Sequence, residues 1–167
     1  MAQNDEILGA SKSVQLKAEW LLAGTYLDYG QPGKAVELFR HLMATLKETF
    51  ALSDSKVLDC KWELAWAYRA NGQTNKAVQE LEELAEVVEE LHLEDTVSRL
   101  LTRRALGQAY LDNGQSMEAV DTFERVAATS ARANDPRLPL ADVYEELSIA
   151  YEASGRLDEA VCIDLLR

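Results

Sequence analysis

Apolar residues along the chain recur at three- and four-residue spacing, as in Val36, Phe39, Leu42, Met43 and Leu46, or Leu81, Leu84, Val88 and Leu91. That spacing gathers them on one face of an α-helix and leaves polar residues on the other. Strand-like alternation is absent, so the pattern predicts an all-α chain. Short polar breaks with Gly, Asn, Asp or Pro divide it into helices. The first is expected to start near Ser11 or Ser13, either of which can cap it through its hydroxyl, with Leu16, Leu22, Ala23 and Tyr26 as its core stripe. Later helices are expected at about 32–50, from Ser53-Asp54 to 71, at 75–93, from Asp95-Thr96 to 113, at 116–133, at 139–154, and from Leu157 onward. Residues 1–10 read as a frayed tail.

A repeat runs through these helices. Tyr26, Tyr68, Tyr110 and Tyr151 are each followed four residues later by Gly30, Gly72, Gly114 and Gly155, and five further on by Ala35, Ala77, Ala119 and Ala160. The steps are 42, 42 and 41 residues, and three columns in one register mark stacked supersecondary units. Gly closes the first helix of each unit (A) in a conformation that a Cβ would penalise. The Ala column sits in the first turns of the second helix (B), where a small side chain lets the two helices approach. The Tyr, one turn before the Gly, is an amphipathic ring suited to the crossing.

The series Leu22-Ala23-Tyr26-Gly30-Ala35-Phe39, Leu64-Ala65-Tyr68-Gly72-Ala77-Leu81 and Leu106-Gly107-Tyr110-Gly114-Ala119-Phe123, with a partial fourth copy from Leu147 to Ala160, resembles the tetratricopeptide repeat. The usual unit is about 34 residues, so a 42-residue step implies helices longer by a turn, similar to the kinesin light chain subtype. That subtype's Asn pair is missing before Ala23, Ala65, Gly107 and Ser148. The resemblance implies a right-handed α-solenoid, a single domain over residues 11–167 with repeats at about 12–53, 54–95, 96–136 and 137–167, the last partial. It also implies a non-enzymatic scaffold whose A helices line a concave surface. The ligand-facing slots of that surface hold Trp20, Trp62, Arg104 and Glu145, then Gly24, Trp66, Gln108 and Ile149, then Leu27, Arg69, Leu111 and Glu152.

Trp62 and Trp66, four apart, share a helical face, and Trp with Arg dominates interface hot spots. The expected partner is a peptide or helix with apolar anchors on Trp20, Trp62 and Trp66 and an acidic group received by Arg69, Arg103 or Arg104, with Gln108 beside them. The competing reading makes the indoles fillers between long A helices. A regulatory or sensor module of a larger assembly, acting by self-association or small-ligand binding, is the alternative function.

Charge narrows the partner. A formal charge of −12, from 29 acidic and 17 basic residues, opposes nucleic-acid binding, which needs clustered Lys and Arg. No run approaches the length of a membrane span, and the first residues lack the order of a secretory signal. Cys60 and Cys162, without metal-like spacing, read as buried small hydrophobes in a reducing, cytoplasmic setting. Eight acids between Glu80 and Asp95 read as a solvated helix face, not a metal site. His41 and His92 have no triad context and no phosphate loop appears, so no catalytic residue, cofactor or metal is assigned. In the last helix Asp164 stands where Phe39, Leu81 and Phe123 stand, while Val161, Ile163, Leu165 and Leu166 spread over more than one face. A solenoid end needs a polar outer face. The expectation is therefore self-association through residues 157–167, or a longer natural chain.

Overall fold

The computed structural model describes residues 2–91, 96–133 and 137–166, with side chains from Ser13 onward except at 96, 97 and 133. His92, Glu94, Asp95 and the loop at Asn134–Pro136 lie outside the described residues. The helices are α1 (Ala2–Asp28), α2 (Pro32–Thr49), α3 (Ser55–Ala70), α4 (Thr74–Glu90), α5 (Thr96–Asp112), α6 (Ser116–Ala133), α7 (Leu140–Ala153) and α8 (Leu157–Asp164).

Each A helix ends in the same way. Gly30, Gly72, Gly114 and Gly155 have φ between 67° and 79°, in the left-handed region. Their amides donate to Leu27, Arg69, Leu111 and Glu152, and the next amide donates to the carbonyl of the column Tyr, as in Gln31 N to Tyr26 O at 2.8 Å and Arg156 N to Tyr151 O at 2.8 Å. These two bonds form a Schellman motif, so the Tyr–Gly spacing is the motif's own geometry. Starts are equally local. Pro32 opens α2, and the Asp54 side chain accepts from Lys56 N at 2.9 Å to cap α3.

The start of α1 departs from expectation: the helix begins at Ala2 and passes through Ser11 and Ser13 without a break. Residues 2–10 contain several good helix formers, and the repeat frame sets where an A helix ends, not where it begins. In turn α4 stops at Glu90, leaving Leu91 in a turn and partly exposed.

By contacts the chain forms two compact units, residues 1–73 and 74–167. In the first, α2 packs against both α1 and α3. Its core holds Phe39, Leu42, Leu46, Val57, Cys60 and Leu64, all essentially buried. In the second, α5 packs against α4 and α6, and α7 against α6 and α8. Phe123, Leu100, Val120, Val126 and Val143 are fully buried there. The Ala column is buried throughout. Burial is what each large side chain contributes to stability, about 1.5–3 kcal/mol per Leu, Val or Phe.

Leu22 and Cys162, besides Leu91, are expected in the core and lie outside it. Leu22 is 45% exposed although its counterparts Leu64, Leu106 and Leu147 are buried. Leu106 and Leu147 lie on helices packed on both sides, α5 against α4 and α6 and α7 against α6 and α8, whereas α1 packs on α2. Cys162 is exposed, unlike Cys60, because α8 turns only Ala160 fully inward.

Candidate functional site

The A-helix residues proposed for binding fall into two groups, Trp20, Trp62, Trp66 and Arg69 on the first unit and Arg103, Arg104 and Gln108 on the second. On the first unit, Trp20 and Trp62 are half-buried and Trp66 is 52% exposed. The Trp20 ring stands edge-on to Phe39, with centroids 6.0 Å apart at 85°, so part of this indole is packing. Trp66 is different. Its ring lies under the Arg69 guanidinium, 5.2 Å from the centroid, a stacked cation–aromatic pair at the surface of α3. Burial, and secondarily Asp59, pushes the Glu63 carboxyl on the same helix above its ordinary range.

On the second unit the arginines are engaged within the chain. Arg103 forms an ion pair with Glu89, and Arg99 lies 3.8 Å from the same carboxylate. Arg104 Nε donates to Glu146 Oε2 at 2.7 Å, and Gln108 donates to the other oxygen of that carboxylate. Asp142 stands 3.8 Å from Arg104. The hydrogen bond to Glu146 holds the Arg104 guanidinium more firmly charged. An acid docking here would displace Glu89 or Glu146. Ile149, in the same slot as Trp66 and Gln108, is 49% exposed.

Sequence reasoning passed over Glu89 and Glu146. Glu146 lies 42 residues after Arg104, one more than the 41-residue step between these repeats, so it neighbours Glu145, the residue the repeat frame aligns with Arg104. Nor are the acids of α4 merely solvated. Glu82 accepts from Tyr110 Oη at 2.8 Å, and one step on Glu124 accepts from Tyr151 Oη at 2.7 Å. In these two repeats the column Tyr thus pegs its helix to the B helix before it. Desolvation, then the bond to Glu124, pushes the Tyr151 phenol up to about 12. His41 sits on α2 with Nδ1 3.1 Å from Glu19.

At the last helix Val161, Leu165 and Leu166 are 61%, 82% and 63% exposed, whereas Ile163 packs partly against the core. Asp164 is exposed, unlike Phe39, Leu81 and Phe123 of the same column, which are buried. Among the described residues no helix is long and apolar enough to cross a membrane.

Among the described residues, eight consecutive helices with Schellman turns at steps of 42, 42 and 41 residues define an all-α helical-repeat protein of the solenoid class. A tetratricopeptide-repeat family model matches residues 59–87. A Podosopora anserina protein described as a kinesin light chain, with nearly identical TPR-like repeats, is 35% identical; the match covers 89% of this chain and 71% of that one with a TM-score of 0.80. The chain belongs to the tetratricopeptide-repeat family, in its kinesin-light-chain-like form. BtubC (BKLC) from P. vanneervenii is similar in fold, with 21% identity over 89% of this chain and 59% of that one and a TM-score of 0.79. So is a Rap protein crystallised with Competence and Sporulation Factor, at 17% identity over 89% and 40% of the two chains and a TM-score of 0.70. No curated protein matches the sequence. Tetratricopeptide folds are in general protein-interaction scaffolds that bind protein or peptide partners, and are typically non-enzymatic.

Proposed function

We propose that this chain is a non-enzymatic interaction module that holds a peptide or helix of a partner protein on its A helices, in a cytoplasmic setting. The observation that carries the reading is Trp66, half in solvent and stacked under Arg69 on α3. Burying that indole against a partner would remove a large apolar surface from water, and a stacked Arg–Trp pair is the residue combination that concentrates binding energy. Trp62 supplies the adjoining turn and Trp20 a third apolar wall. On the second unit Gln108, Arg103 and Arg104 offer polar contacts in exchange with Glu89 and Glu146. A pull-down with the wild type and a Trp62→Ala/Trp66→Ala variant tests it: the variant retains its helicity and loses the partner, and equal recovery by both proteins rejects the site.

The exposure of Val161, Leu165 and Leu166 favours a second reading, self-association through α8 and the residues after it, with Ile163 bracing the helix from within.

A further inference from the structure

The first unit contains a cavity of about 560 Å³ between α1, α2 and the start of α3. Its volume lies within the range of small-molecule sites, roughly 300–1,000 Å³. Leu16, Trp20, Leu42, Leu46 and Phe50 make apolar walls, and Leu21, 72% exposed, stands at the mouth. Two charged side chains are among the described residues that line it, Lys17 and Lys56, and both are cationic. That selection of sign is notable in a chain with 29 acids and 17 bases. The Lys56 ammonium lies 4.2 Å from the Phe50 ring centroid, so one cation is held over an aromatic wall of the cavity.

We propose that this cavity is a binding site for an amphipathic anion, an aliphatic chain ending in a carboxylate. The chain would displace water from the Leu and Trp walls, while Lys17 and Lys56 hold the carboxylate at the mouth. Hydrophobic capture alone would not distinguish one head group from another; two lysines without an acid among the described lining residues do. The site shares Trp20 with the peptide-binding reading but uses neither Trp62 nor Trp66, so the lysine variants and the Trp62/Trp66 variant test the two separately.

Calorimetric titration of the full chain with dodecanoate, below its micelle-forming concentration, tests the proposal. Saturable one-to-one binding is expected, weakened about tenfold when the head group is the cationic trimethylammonium or in Lys17→Gln/Lys56→Gln. Leu21→Glu, a surface change that leaves the thermal melt in place, should abolish it. Absence of saturable dodecanoate binding overturns the proposal, as does equal affinity for the cationic amphiphile or indifference to the lysine and Leu21 changes. If dodecanoate does not bind yet Leu21→Glu weakens capture of the protein partner, the cavity belongs to that interface and the proposal is likewise overturned.

Discussion

Two glycines in helix interiors show how much one Cβ decides. Gly107 fills the small-residue slot that holds Ala23, Ala65 and Ser148 in the other repeats, and a Cβ there would stand 2.8 Å from the ring of the fully buried Phe123. Gly107→Ala gains up to about 1 kcal/mol of helix propensity but overpacks a site whose ring has no room to retreat, at about 1–3 kcal/mol. A net loss of about 1–2 kcal/mol is expected in urea unfolding. Gly24 lies mid-helix with nothing within 4 Å of its virtual Cβ. Gly24→Ala should therefore stabilise by about 0.5–1 kcal/mol in the same assay. Both residues look alike in the sequence, and only their neighbours separate them.

At the scale of elements, the repeat is held together by side chains that cross from one helix to the next. The Tyr151 phenol is raised from 10.0 to about 12 by burial and by its bond to Glu124. A folded value above the unfolded one means that the stabilisation is complete below pH 10 and is lost as pH rises from about 10 to about 12. Chemical denaturation of wild type and Tyr151→Phe should show this: the wild-type advantage, about 0.5–1.5 kcal/mol near neutrality, vanishes over that window. Arg104 and Glu146 join α5 to α7 with side-chain exposures of 21% and 15%. A double-mutant cycle with Arg104→Gln and Glu146→Gln should give a coupling of about 1 kcal/mol in stability, beyond that of an exposed pair. Additive effects would leave Arg104 available for a partner.

At the scale of the whole molecule, the indoles divide between packing and recognition. Trp20→Ala removes the edge contact with Phe39 and should cost about 3 kcal/mol of stability or more. Trp66→Ala removes a half-exposed ring and should leave the melting temperature nearly unchanged while partner binding weakens by more than about 1 kcal/mol. Thermal melts beside binding titrations check both. A large stability loss at Trp66 would make it a packing residue. Light scattering addresses the far end: association at high micromolar concentration, abolished by Leu165→Glu or Leu166→Glu, is expected from their exposure. A strict monomer indifferent to those changes removes the second reading.

The sequence by itself determined the glycine-closed ends of the A helices, the repeat register and the buried Ala column. Each of these follows from short-range chemistry: a left-handed Gly four residues after Tyr, a proline or aspartate at a helix start, and apolar spacing of three and four. Tertiary structure alone decided which identical-looking positions differ. Leu22 is exposed and Leu106 and Leu147 buried because α5 and α7 each pack against helices on both sides, whereas α1 packs on α2. Arg103 and Arg104 are bound by Glu89 and Glu146, and Tyr110 and Tyr151 reach the acids of the previous B helix. Such partners are chosen across 14 to 42 residues of chain by the crossing of two helices, a distance that local propensity and period do not encode.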